Sequence, residues 1–425
     1  MKLSTNPPKG TYDFTPQEFR IRKYIFDTWR SVLLSFGYEE YLTPIVESAE
    51  IYKAKSGEDV GGKELMSFKD RAERELAIRP EMTPSVTRMV CKNYEELKKP
   101  IRYFSIANFF RNEKPQRGRN REFWQLNYDI FGEDSVLSDV EILQIALDTM
   151  LKFNAPRESF VLYINSRKII DFVLQKAEIS SPIEVVRILD KYEKLSSEDF
   201  EISLKKLELS EKQIKILKDY ISCNNEKELL EKFEDIKDLE EYKNITTILS
   251  TLTNLGYADY ISYNPKIIRG FDYYDGMIFE VFDRNKENPR AMFGGGRYNG
   301  LSQIFGVKNF SAVGAAFGDE TTKLFLEGWN LTSEILKNTK EEVYYFPILD
   351  ESMSTEVLSL AQKLRLEGKN VITSYDIQSL KKSLDVANKR EYSSVIIYGT
   401  FEKQEKIYKL KNMLDGVELK IDYQV

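Results

Sequence analysis

Residues 110–125 read FRNEKPQRGRNREFWQ, and within 111–121 the cations Arg111, Lys114, Arg117, Arg119 and Arg121 face one carboxylate, Glu113. Guanidinium forks match phosphate oxygens bidentately, so this spacing suits a polyphosphate or RNA contact. A solvated hairpin tip would look the same. In IIRGFDYYDGMIFE, residues 267–280, Arg269 stands between an apolar pair and a glycine, with Tyr273 and Tyr274 following. In RPEMTP, residues 79–84, Arg79, Glu81 and Thr83 alternate as they would on one strand face. Glu and Thr side by side could hold an ammonium, or mark a charged strand end. FGGGRYNG, residues 293–300, carries glycines that let a backbone approach a ligand closely. Gly314, Ala315, Ala316 and Gly318 leave room against their strand for a flat ring or for a packed helix.

The composition limits what these groups can do. The chain has 425 residues and no histidine, which removes the side chain that titrates nearest neutrality and the commonest metal ligand. Chemistry must fall to Arg, Lys, Asp, Glu, Tyr or the substrate. Cys91 and Cys223 are isolated, giving neither a disulfide framework nor a metal spacing. The net charge of −6 argues against broad nucleic-acid coating but leaves room for a local basic contact. No apolar run approaches the roughly 20 residues of a membrane span, and MKLSTNPPKG has no apolar signal core. A cytoplasmic protein with no membrane association is expected.

The elements that must position these residues can be read in outline. Thr15, Pro16 and Glu18 form a capping box and first turn, and Ile21, Ile25, Trp29, Val32 and Phe36 recur at helical spacing up to Gly37. YEEYLTPIVE then reads as a strand. Residues 101–111 and 121–131 read as two strands. In the second, Trp124, Leu126, Tyr128 and Ile130 point one way, and Gln125, Asn127 and Asp129 the other. The polar face would form a site floor if the sheet binds a small polar ligand. From about 165 to 255 the chain turns Lys/Glu/Leu-rich and helical, with capping boxes expected at Ser181 and Ser210. Strands resume at 277–283 and 311–317. From about 340, strands alternate with helices at 354–367 and 377–391, as in a small α/β domain.

Together, and in this order, these pieces resemble one family. FGYEEYLTP (36–44) is similar to motif 1 of class II aminoacyl-tRNA synthetases, and FRNEKPQRGRNREFWQ to motif 2. RGFDYYDG (269–276) and GGGRYNGL (294–301) resemble the two signature peptides of histidyl-tRNA synthetases. PKGTYDFTP, KSGED, FKDRAERELAIRPEMTP and QSLKKSLDVANKREYSSVIIYG extend the likeness over nearly the whole chain. The resemblance implies an α+β fold: an antiparallel sheet flanked by helices (1–165 with motifs 1 and 2, and 261–332 with the signature peptides and motif 3). A helical insertion (166–260) and a C-terminal α/β anticodon-binding domain (340–425) complete it. It further implies a homodimer formed through motif 1.

The implied activity is that of a histidine-tRNA ligase, which activates histidine with ATP and Mg²⁺ and passes it to histidine tRNA. No organic cofactor and no resident metal are expected. The attacking carboxylate is already ionised at neutral pH, so alignment and cations matter more than a general base. The resemblance further implies that in the second step a phosphate oxygen of the adenylate would take the proton. By resemblance, Arg111 and Arg269 would hold the α-phosphate. Glu81, Thr83, Gln125, Asp129, Tyr273, Tyr274 and Arg297 would bind L-histidine. Arg111, Glu113, Arg119 and Gly318 would meet ATP, and Gln116, Arg119 and Arg121 the tRNA acceptor end. The chain departs from the family pattern at Asp129 (usually glutamate), Met82 (glycine), Asn299 (aspartate) and Thr321, where motif 3 usually ends in arginine. The competing reading is a non-catalytic histidine-binding paralogue acting as a regulatory subunit, a group that usually lacks the anticodon domain.

Overall fold

The computed structural model describes residues 3–423 except 55, 58, 193–194 and 269–272, and nothing of the side chain at 59. The chain divides into two compact units, Met1–Leu336 and Lys337–Val425.

The first unit is built on an eight-stranded sheet of order β1-β5-β6-β11-β10-β9-β7-β8. Its strands are β1 (Glu39–Glu40), β5 (Ile101–Phe110), β6 (Glu122–Phe131), β7 (Phe160–Ser166), β8 (Ile261–Tyr263), β9 (Met277–Asp283), β10 (Ala291–Arg297) and β11 (Ala312–Gly318). A separate three-stranded sheet pairs β2 (Val46–Ser48) with β4 (Glu75–Ile78) and β4 with β3 (Met66–Lys69). The strand expected over YEEYLTPIVE therefore splits. Only Glu39 and Glu40 pair, in parallel, with β5, and after Pro44 the chain joins the smaller sheet as β2.

The helix Pro16–Ser35 starts where the sequence places it, with the Thr15–Glu18 capping box formed. It buries Ile21, Ile25, Trp29 and Val32, and Phe26 lies 5.2 Å from Trp124 at the start of β6. The helix Val136–Lys152 lies on the same side, and Leu126, Tyr128 and Ile130 of β6 join one continuous core with both helices. Burial of this apolar face fixes the register, because a slip of one residue would send Gln125, Asn127 and Asp129 into the core.

Between β7 and β8 the chain is helical, as expected. The capping box at Ser210 forms, with Gln213 answering. The one expected at Ser181 does not: Ser181 sits at φ −118°, ψ 67° and makes no cap hydrogen bond. The segment 79–84 is also not a strand. β4 ends at Ile78, and a helix Thr83–Asn93 begins within it, with Pro84 in its first turn.

In the second unit, a five-stranded sheet of order β13-β12-β14-β15-β16 spans β12 (Val343–Ile348), β13 (Asn370–Ile377), β14 (Ser394–Ile397), β15 (Ile407–Asn412) and β16 (Glu418–Asp422). The helices Ser354–Leu366 and Leu380–Lys389 pack on it. Among the described residues, no helix is long and apolar enough to cross a membrane.

Candidate active site

Directly paired residues of antiparallel strands share a face. On the face of the large sheet away from the helices Pro16–Ser35 and Val136–Lys152, this produces three rows. One runs Ala107, Gln125, Gly318. The next runs Ser105, Asn127, Ala316, Gly294, Glu280. The third runs Tyr103, Asp129, Gly314, Gly296, Ile278. The small residues are required there. A Cβ on Gly314 would lie 2.0 Å from Asp129 Oδ1, and one on Gly296 would lie 2.8 Å from the Tyr274 ring.

Asp129 is buried, and burial pushes its carboxyl up to about 7 against the lowering effect of one hydrogen bond. That bond comes from the Tyr298 hydroxyl, at 2.5 Å. Tyr273 donates to Glu81 Oε2 at 3.0 Å, and its ring lies 4.8 Å from Tyr274 and 5.7 Å from Tyr298. Two hydrogen-bonded pairs, Tyr298–Asp129 and Tyr273–Glu81, thus lie side by side in a buried cluster with Tyr274. The cluster is polar and incompletely satisfied: Asn127 Nδ2, Ser105 Oγ and Tyr41 Oη are buried and hydrogen-bond to none of the described residues. Buried polar groups are ordinarily paired, so three orphans in this part of the face mark a place for a polar ligand or its water.

The opposite end of the same face is cationic. β5 ends and β6 begins at the loop 111–121, which closes on itself through paired backbone bonds between Gln116 and Arg119. Arg111 donates through Nε to the Pro80 carbonyl at 3.0 Å and lies over the Phe123 ring at 5.1 Å. Arg119 pairs with Glu113 at 3.3 Å, and Arg121 donates to the Glu113 carbonyl at 3.2 Å. Gly318 faces this end, in register with Gln125. From Gln125 to Asp129 is about 13 Å along β6 at about 3.3 Å per residue. The face therefore carries an acid–tyrosine cluster at one end and arginines at the other.

The structure thus brings Glu81, Gln125, Asp129, Tyr273, Tyr274 and Gly318 to one surface, with Arg111, Glu113, Gln116, Arg119 and Arg121 at its edge. Thr83 opens the helix after Glu81. Arg269 lies outside the described residues. Arg297 does not join the group. Its partner in β11 is Val313, which belongs to the helix-covered core, so its side chain leaves on the other face. There its guanidinium bonds Asp139 at 2.9 Å, Ser138 Oγ and Ser311 Oγ at 2.7 and 2.6 Å, and the Glu133 carbonyl at 3.1 Å. Those bonds use its donors in holding the sheet to the helix Val136–Lys152. Tyr298, one residue on, is the side chain that reaches Asp129, and the sequence reading passed over it. Thr321 bonds its hydroxyl to the Met292 carbonyl at 2.7 Å, so the helix Asp319–Gly328 offers no cation at that point.

Comparison with known proteins adds an independent line. The sequence profile of the family described as histidyl-tRNA synthetase matches residues 10–321. A protein of Leptospira biflexa named histidine–tRNA ligase is 38% identical over 415 residues, covering 97% of this chain and 94% of its own. One of the same name from Pyrococcus horikoshii is 33% identical over 418 residues, covering 97% and 95%. Among solved structures, the histidyl-tRNA synthetase of Nostoc sp. PCC 7120 shares the fold at a TM-score of 0.82 and 23% identity, covering 99% of this chain and 97% of its own.

Proposed function

The chain belongs to the histidyl-tRNA synthetase family and is a histidine-tRNA ligase; from that premise we propose how its residues divide the work. The observation that carries the proposal is one sheet face with the Asp129–Tyr298 pair at one end and the arginine loop at the other. Histidine lies along β6 with its imidazole toward Asp129 and Tyr274, and its ammonium toward Glu81, Thr83 and Gln125. Its carboxylate then points at the loop end, where ATP, carried with Mg²⁺, presents its α-phosphate to Arg111, with Glu113, Arg119 and Gly318 beside the nucleotide.

Adenylate formation joins a carboxylate oxygen to the α-phosphorus and breaks the bond to pyrophosphate. No proton need be removed, so the residues act by alignment and by opposing negative charge. Arg269 is assigned to the same phosphate and to the histidine carboxylate. Gln116, Arg119 and Arg121 are assigned to the tRNA acceptor end, and residues 340–425 to the anticodon. We place homodimerisation at motif 1, where Leu34, Leu42, Ile45 and Val46 are exposed apolar side chains, and the protein in the cytoplasm.

The test is histidine-dependent exchange between pyrophosphate and ATP. The native chain is expected to exchange, and Arg269→Ala to do so at least about 100-fold more slowly, since losing one preorganised donor to developing charge costs about 2.7–4 kcal/mol. A native chain that folds and binds histidine but shows no exchange at saturating ATP and Mg²⁺ would defeat this assignment of roles and favour the regulatory reading.

A further inference from the structure

The arginines of the loop 111–121 are largely compensated. Arg119 pairs with Glu113, and Arg117 with Glu287 at 3.6 Å and Asn288 Oδ1 at 3.3 Å. These last contacts tie the loop to the β9–β10 connection. That connection is itself anchored: Asn288 Nδ2 donates to Asp283 at 2.8 Å, and Asp283 accepts from Trp329 Nε1 at 2.9 Å.

Arg290, in the same connection, differs from its neighbours. It is exposed, and its Nη2 donates across the gap to Gln116 Oε1 at 2.8 Å. Among the described residues no carboxylate pairs with it. A permanently charged fork held only by a neutral amide can exchange that amide for phosphate oxygens at small cost, because charge-assisted bonds are about twice as strong as neutral ones.

Its place suits such an exchange. β10 begins at Ala291, at the same end of the sheet as Phe110, Glu122 and Gly318, which is the cationic end of the open face. The helix on that edge brings no competing cation, since Thr321 is bonded to the Met292 carbonyl and Lys323 pairs with Glu327 at 3.5 Å. We propose that Arg290 binds the terminal phosphates of ATP, releasing Gln116 when the nucleotide enters. The inference rests on the reading above that ATP lies under the loop 111–121. The same chemistry could be served by a backbone phosphate of the tRNA acceptor end, and the experiment separates the two sources.

The full chain and Arg290→Ala are compared in pyrophosphate–ATP exchange over a range of ATP concentrations, in aminoacylation, and in calorimetric binding of ATP with Mg²⁺. Loss of one charge-assisted contact is expected to lower kcat/KM for ATP in exchange by about ten- to hundredfold, to weaken ATP binding similarly, and to leave the KM for histidine unchanged. Arg290→Lys should recover part of the loss. Normal exchange and ATP binding with impaired aminoacylation would move the phosphate to the tRNA and overturn the ATP assignment. No change in any readout would leave Arg290 a tie between loops and overturn it as well. Because ATP binding needs no turnover, an inactive native chain would sink the catalytic reading above, while unaltered affinity in Arg290→Ala sinks this one.

Discussion

Arg297 and Tyr298 are neighbours in β10 and its exit, yet they serve opposite faces of the sheet, and each meets a buried aspartate. On the helix-covered face, burial lifts Asp139 to about 6 against the pull of Arg297, whose remaining donors are taken by two hydroxyls and two carbonyls. On the open face, burial lifts Asp129 to about 7, and only a neutral hydroxyl opposes it. The first arrangement is complete. The second has a single neutral donor among the described residues, and orphaned polar atoms of Asn127, Ser105 and Tyr41 line the same side. The charge in a signature peptide is thus a weaker guide to a ligand site than unfinished hydrogen bonding beside it.

The largest expected effect falls on the complete side. Arg297→Ala leaves Asp139 buried without its partner, a change that typically costs about 3–5 kcal/mol. Urea denaturation of the native and variant chains should show that loss, with histidine affinity in the folded fraction unchanged. Replacing both partners, as Arg297→Met with Asp139→Leu, should recover much of the stability, because no charge is then stranded. Native-like stability with lost histidine binding would return Arg297 to the ligand site and erase the contrast.

Next is Tyr298→Phe, which removes the one donor Asp129 has among the described residues and keeps the ring. That bond favours the ionised carboxylate, so losing it drives the Asp129 carboxyl further up, and histidine affinity near neutral pH should fall several-fold. Calorimetry would check it, with ATP affinity as the control. Unchanged histidine affinity would reduce Tyr298 to a packing ring.

How far the sequence reveals this contrast can be judged from particular residues. The capping box at Thr15 and the placing of Leu126, Tyr128 and Ile130 on one face of β6 are local, and both match the structure, although Asn127 and Asp129 on the other face are buried as well. The fit at 79–84 fails because alternation over a few residues cannot outweigh a proline suited to a first helical turn. The role of Arg297 was open to parity. If β10 runs through 297, then Gly294 and Gly296 share one face and Arg297 takes the other, but the arginine's charge outweighs that count in a motif-level reading. Tyr298 with Asp129, and Arg290 with Gln116, are separated by 169 and 174 residues. No periodicity or local spacing reports pairings of that range, which only the assembled sheet brings together.

The smallest effect is a pH dependence. The carboxyl of Asp129 sits near 7 in the folded chain and near about 3.9 when unfolded, so in that window the folded state holds a proton that the unfolded state has lost. The contribution of Asp129 to stability therefore falls as pH rises through that window and is level above about 7. Histidine binding carries the opposite sign. In the proposed arrangement an imidazole N–H donates to the ionised carboxylate, so any proton held by Asp129 must leave on binding. From pH 8 down towards 7, where free imidazole is still largely neutral, affinity should fall and the protons released per histidine should rise. Titrations in buffers of different ionisation enthalpy would count those protons. Asp129→Asn should abolish the release attributable to this site. Flat affinity with no protons released in the native chain would mean that Asp129 is already ionised or does not face the imidazole, and that the open face owes its polarity to something other than histidine.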